Sequence, residues 1–350
     1  MEFTKKQTSI AKGVAICLMF VHHLFNYPEF SDRFWPGNSY TPLIYFFNSE
    51  AYLARFGNIC VSIFLFLSGY GLFLGWAGSQ QSPIRYSVNK IKDFYLTYWM
   101  YFLIFVPIGL LFFQKQTIWG STQLRYLGDP ITFLLNFLGL SSRYNSEWWF
   151  VRLFVLTLLF LCPVYLKLTK KYTVWIAVIS LFLFVFALSF EVDPYHSKLN
   201  FLIWQTSFAL GIICAKFNFF SSRFIYYLDK LGWIWVLSGL LLCVLIGLIL
   251  RSRVGIKYDF LIAPIFIYFS IRTVGMLHLN KLFAYVGQYS FPLWLVHSFF
   301  CYYYFQEFIF FPKWSPLIFL LLSTSSLLSI LGIEQLRKLI KNNIKLRFSK

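Results

Sequence analysis

Apolar residues along this chain gather into long runs separated by short polar segments, a pattern unlike either amphipathic helices or alternating strands. About 20 mostly apolar residues suffice for a helix to cross roughly 30 Å of hydrocarbon. Ten segments qualify: Ile10 to Asn26, Gly57 to Ala77, Tyr95 to Phe113, Trp148 to Leu166, Tyr172 to Phe190, Leu199 to Phe217, Trp233 to Leu250, Tyr258 to Gly275, Leu282 to Phe305 and Ser315 to Gly332. A further apolar piece, Ile131 to Leu140, is too short to cross and reads as a re-entrant or interfacial helix. In hydrocarbon each backbone N–H and C=O has to be paired within its own element. The pattern therefore predicts an all-α, polytopic membrane protein of about ten transmembrane helices, embedded over residues 1–333 with a basic tail at 334–350. No small-residue cleavage site follows the first stretch, which predicts a retained span instead of a signal peptide.

Composition narrows the class further. Hydrophobic residues make up 59% and charged residues 13%, where a soluble domain carries roughly 25% charged. With 44 Phe, 23 Tyr and 12 Trp, soluble, disordered and disulfide-stapled classes are excluded. The net charge of +18 would suggest a nucleic-acid partner in a soluble protein, but here its distribution decides. With the N-terminus inside, the inner segments hold 20 basic residues and the outer ones ten, with Arg152 inside a span. That excess predicts a multi-pass cell-membrane protein with both termini cytosolic, its tail drawn to anionic membrane lipid, and no nucleic acid. The weakest point is the outer loop with Arg251, Arg253 and Lys257. All six cysteines stand singly in or beside apolar stretches, without metal-ligand spacing, and read as small buried hydrophobes. Neither a P-loop, a dinucleotide fingerprint, an H-E-x-x-H motif nor an inverted repeat appears, so no metal or permanently bound cofactor is expected.

Ionisable residues inside a bilayer are costly, about 2.5–3.5 kcal/mol at a helix centre, so each is a candidate for function. The first span holds His22 and His23 beyond Lys12. Eleven residues at about 100° each return Lys12 and His23 to one helical face, about 16 Å apart, while His22 points elsewhere. A neutral imidazole at that depth can take a proton near pH 7, as activation of a hydroxyl in a low-dielectric cavity requires. His23 is thus the candidate catalytic base. The other reading is a pair of histidines capping the helix in interfacial water.

The spacing from Lys12 to His23 resembles the basic-residue, ten residues, His element of acyltransferase family 3, integral-membrane O-acyltransferases of cell-surface carbohydrate. Further pieces agree in order: Phe64-Leu65-Phe66-Leu67-Ser68-Gly69-Tyr70; Asn89 to Trp99; Trp148-Trp149-Phe150 into Pro163; and Val286-Gly287-Gln288-Tyr289-Ser290-Phe291-Pro292-Leu293-Trp294-Leu295-Val296-His297. The likeness runs from residue 5 to 333. Lys12 stands where the family usually has Arg, and Leu96 where Pro is usual; Lys keeps the cation but loses the bidentate fork.

The resemblance implies transfer of an acyl group, usually acetyl, from cytosolic acyl-CoA as donor substrate to a sugar hydroxyl on a polysaccharide or its lipid-linked precursor. Lys12, Arg85, Lys90 and Lys92 gather at the inner ends of the first three spans, where they either meet the donor's phosphates or anchor the topology. Ser68 and Gly69 admit either the pantetheine arm or a closely packed helix. Arg152 either snorkels outward or points into a cavity toward Glu147 or a substrate oxygen. Glu147 and Trp148 form part of an outer rim suited to sugar recognition, with an ordinary aromatic belt as the alternative. His297 matches a family position and reads better as a structural hydrogen bond than as a catalyst. The rival class is a polysaccharide polymerase or lipid-linked sugar exporter, which usually shows a large, arginine-rich outer loop. The outer segments at Tyr27 to Phe56 and Gln114 to Glu147 hold two and three basic residues.

Overall fold

The computed structural model describes residues 3–26, 49–118 and 121–348. Residues 27–48, the start of the long segment after the first span, and 349–350 of the tail lie outside the described residues. In chain order the helices are α1 (Lys5–Phe25), α2 (Ser49–Gly57), α3 (Cys60–Ala77) and α4 (Pro83–Phe112), followed by a short antiparallel hairpin, β1 (Lys115–Ile118) and β2 (Ser121–Leu124). Then come α5 (Pro130–Phe137), α6 (Trp149–Leu156), α7 (Cys162–Leu168), α8 (Val174–Ser189), α9 (Phe201–Lys216), α10 (Arg223–Asp229), α11 (Trp233–Val254) and α12 (Asp259–Met276). The chain ends in α13 (Asn280–Gln288), α14 (Ser290–Ser298), α15 (Gln306–Phe310) and α16 (Ser315–Phe348). Apart from the hairpin, this is the all-α polytopic bundle that the apolar pattern predicts.

All ten apolar stretches are helical, though not all are regular. Among the described residues seven helices are long and apolar enough to cross a membrane, while α8 and α9 are apolar but have 16 residues each. The ninth stretch breaks at Tyr289 between α13 and α14, three residues before Pro292, and loosens into a π turn at Phe299–Tyr303. A second π turn, Thr157–Leu161, joins α6 to α7 just before Pro163. Pro163 offers no N–H and crowds the carbonyl four residues back, at Leu159, so the hydrogen-bond ladder there slips by one residue. The basic tail is not set apart from the last span: α16 continues through Glu334 to Phe348 without a break.

Two reciprocal glycine contacts set how closely the helices approach. A Cβ on Gly69 would collide with the Phe208 carbonyl, and one on Gly211 with the Phe66 carbonyl, locking α3 to α9. In the same way Gly13 faces the Phe283 carbonyl and Gly287 the Ser9 carbonyl, locking α1 to α13. Polar groups between helices are satisfied locally. Gln205 accepts from the Tyr165 hydroxyl at 2.6 Å and donates to the Ser180 carbonyl at 2.9 Å, tying α7, α8 and α9 together. Arg251 turns inward to the buried Asp259 and the Arg55 carbonyl, so the loop that fits the charge rule worst exposes less charge than its sequence suggests.

The short helix foreseen at Ile131 to Leu140 is α5. The Asp129 carboxylate caps it by accepting from the Thr132 amide at 2.7 Å, which holds that carboxyl below its ordinary range. α5 lies against α4: Trp99 stacks on Phe137 at 4.9 Å, and the Tyr98 hydroxyl donates to the Asn136 carbonyl at 2.6 Å. Asn136 Oδ1 in turn accepts from the Tyr144 amide at 3.0 Å. That fixes the segment leading to Glu147.

Because the Gly69 contact is backbone to backbone, Gly69→Ala is expected to cost about 1–3 kcal/mol of stability through overpacking. Gly71→Ala faces open space and should change little. Thermal unfolding of the two purified variants decides: equal melting temperatures would remove the α3–α9 contact from the account.

Candidate active site

A cavity of about 980 Å³ opens between α1, α3, α4, α6 and α14. Near the end of the bundle where α1 begins, its wall includes Lys12, Ser68, Lys90 and Asp93. Deeper in lie His22, His23, Asn58 and Cys60, and toward the opposite end come Arg125, Ser146, Glu147, Trp149, Arg152 and Tyr195. Lys12 and His23 thus share one wall, as their spacing predicts, separated by about 16 Å of helix.

His23 is clamped on both ring nitrogens. Its Nδ1 lies 3.0 Å from the Tyr302 hydroxyl, and that hydroxyl donates its one proton to the His23 carbonyl at 2.6 Å. The Tyr302 oxygen therefore accepts from His23 Nδ1–H, which leaves Nε2 as the basic nitrogen. Nε2 sits 3.3 Å from Glu147 Oε2. The two form an ion pair once the imidazole is protonated at Nε2. Only 12% of the His23 side chain is exposed, and that surface faces the cavity.

His22 lines the cavity as well, which a simple helical wheel does not predict. It is engaged differently. Its Nδ1 donates to the Ala54 carbonyl at 2.8 Å, and its Nε2 accepts from Asn58 Nδ2 at 3.1 Å. With both nitrogens held by the protein, His22 anchors α2 and Asn58, while His23 keeps the nitrogen that can take up a proton. His297 lies fully buried beneath His23, ring centroids 4.9 Å apart, with Nδ1 donating to the Trp294 carbonyl at 2.8 Å. It packs the His23 ring from behind and is not among the residues that line the cavity.

Several candidates fall elsewhere. Arg85 and Lys92 are exposed on other faces of α4: the cavity face repeats at Lys90, Asp93, Phe94 and Thr97, and a helix turning about 100° per residue carries the other two away from it. Lys90 reaches the cavity but pairs with Asp93 at 3.4 Å. Gly69 is consumed by the α3–α9 contact, leaving Ser68 as the lining residue of that motif. Trp148 is buried, donating from Nε1 to the Leu295 carbonyl at 3.1 Å, and the neighbouring Trp149 takes the position on the wall. Arg152 lines the cavity without reaching Glu147, donating instead to the Ser197 carbonyl at 3.0 Å.

The residues that sequence reading missed are those brought in from afar. Tyr302 is 279 positions from His23 and arrives by the π turn after α14; nothing in its local sequence marks it. Asn58, between α2 and α3, and Arg125, after the hairpin, carry no motif either.

Membrane-length helices around a cavity that holds a histidine–carboxylate pair define a multi-pass membrane protein with an enclosed acid–base site. The chain belongs to acyltransferase family 3: the family model described as "Acyltransferase domain" matches residues 9–334, and the protein is accordingly an acyltransferase. Neither a curated protein nor a solved structure matches it.

Tyr302→Phe deletes the acceptor for His23 Nδ1–H. A buried donor left unpaired costs about 1–3 kcal/mol, so the melting temperature should fall accordingly, and acyl transfer by the protein that remains folded should fall roughly tenfold or more. Transfer at the wild-type rate would show that the clamp has no part in the reaction.

Proposed function

We propose that the protein is a cell-envelope O-acetyltransferase, moving an acetyl group from cytosolic acetyl-CoA to a hydroxyl of a surface polysaccharide or its lipid-linked precursor. The observation that carries this reading is the opening of the basic nitrogen of His23 into the same cavity that Lys12 lines. In this reading the donor enters from the end bearing Lys12, Lys90 and the N-terminus, which faces the cytosol by the charge distribution. Coenzyme A carries several phosphates, and Lys12 offers them a cation that no carboxylate neutralises among the described residues. Ser68 lines the way for the pantetheine arm.

The acceptor approaches from the opposite end, where Trp149 and Tyr195, edge to face at 5.3 Å, give it an aromatic wall. His23 Nε2 takes the hydroxyl proton as the sugar oxygen attacks the thioester carbonyl. Glu147 stabilises the imidazolium that forms, and the imidazolium returns the proton to the departing CoA thiolate. A C–O bond replaces a C–S bond, with no oxidant, metal or net proton change.

General-base catalysis contributes about 10²–10⁴-fold, so His23→Ala should lower transfer of labelled acetyl from acetyl-CoA by at least about 100-fold in a folded, inserted protein. Activity above a few per cent of wild type would reject the role assigned to His23. In cells, proton NMR of the surface polysaccharide separates this function from the polymerase rival. Loss of an O-acetyl signal at unchanged chain length is expected on deleting the gene, whereas loss of polymer would contradict the proposal.

A further inference from the structure

Beyond the His23–Glu147 pair, the cavity wall carries two arginines that form no ion pair among the described residues. Arg125 lies over the Tyr303 ring, its guanidinium carbon 4.6 Å from the centroid, and donates to the Arg143 carbonyl at 2.9 Å and to Ser146 Oγ at 3.3 Å. Arg152 donates to the Ser197 carbonyl at 3.0 Å. Each partner is a neutral oxygen or an aromatic face, and the Nε of both guanidinium groups is buried without a partner among the described residues.

Carboxylates nearby are engaged elsewhere. Glu147 pairs with His23 at 3.3 Å and meets Arg125 only through space, Asp193 accepts from the Tyr195 and His196 amides at 2.7 and 2.6 Å, and Asp129 caps α5. Half-buried guanidinium forks, held in place by carbonyls and directly paired with no carboxylate among the described residues, are suited to an anionic group that completes them. The site is also close to the chemistry. Ser146, which Arg125 touches, precedes Glu147, and the Tyr303 hydroxyl that binds Ser146 Oγ at 3.0 Å follows Tyr302.

Resting on the acyltransferase reading above, we infer that the acceptor is an anionic saccharide, bearing a carboxylate or a phosphate that Arg125 and Arg152 hold while a neighbouring hydroxyl faces His23. Such groups match the planar fork of arginine, and the pair would select against neutral sugars by leaving its own charge unpaired.

The test is direct binding to the protein in lipid nanodiscs, with three tetrasaccharide probes: one containing glucuronate, the same one with its carboxyls reduced to alcohols, and a neutral one substituted with glycerol phosphate. At least one anionic probe should bind tenfold or more tightly than the reduced one. Arg152→Gln and Arg125→Gln should each cut that advantage at least fivefold, and Arg152→Lys should keep part of it; the second arginine preserves the test where one variant fails to fold. Equal binding of charged and reduced probes, no binding of either anionic probe, or an advantage that survives both Gln substitutions would overturn the inference. Acetyl transfer or hydrolysis from acetyl-CoA by the same preparation is read separately. Turnover without charge preference overturns only this inference, whereas absence of turnover counts against the acetyltransferase reading beneath it.

Discussion

The structure is organised around one buried ring whose two nitrogens both need partners. An imidazole among apolar helices is costly unless each nitrogen is satisfied, and His23 meets that demand with groups from two distant segments of the sequence. Tyr302 accepts from Nδ1–H on one side, and Glu147 faces Nε2 on the other. Because the hydroxyl proton of Tyr302 is spent on the His23 carbonyl, the direction of every hydrogen bond at the ring follows. The wall of the cavity around His23 depends on that arrangement.

Bringing three distant segments to one point explains much of the architecture. The reciprocal glycine contacts hold α13 against α1, so the chain that continues into α14 and its π turn delivers Tyr302 beside His23. The turn before α6 is pinned independently. Asn145 donates to Ser298 Oγ at 2.7 Å, Trp148 to the Leu295 carbonyl, and Tyr303 to Ser146. α5 supports this turn from behind through Asn136 and Tyr144. Irregular backbone is tolerated in a membrane bundle where it is buried in protein or lines a cavity; the π turn at Phe299–Tyr303 is buried and brings Tyr302 and Tyr303 to the cavity wall, while the one at Thr157–Leu161 buries Thr157 and Leu158 and exposes Leu159 and Phe160. The aromatic residues that make the composition unusual do the packing: Trp148 sits between Tyr98 and Phe299, and Phe94 stacks on Phe291.

What the chain discloses by itself follows periodicity. Ten apolar stretches, the short α5 and the shared face of Lys12 and His23 are properties of local sequence and of a helix of known pitch, so they are readable without coordinates. Family resemblance added the class of reaction. What could not be read is whatever depends on how helices rotate against one another. Trp148 and Trp149 are adjacent and chemically alike, yet one is core and the other wall; Arg85 and Lys92 differ from Lys90 only in which way they face. Gly69 admits a substrate arm or, more readily, a helix contact, and the position of Phe208 makes it the contact. Tyr302, Asn58 and Arg125 act through tertiary contacts, which no local pattern encodes.

The claim on which everything else rests is that one chamber joins the cation at the start of the first helix to the imidazole near its end, and that the acyl donor fills the first part of it. A cryo-EM structure of the protein in nanodiscs with a non-hydrolysable acetyl-CoA analogue tests this most directly. The account predicts coenzyme phosphates beside Lys12 and the acyl carbonyl within reach of His23 Nε2. Density for the coenzyme on the opposite face, or with its acyl end away from that ring, would contradict it.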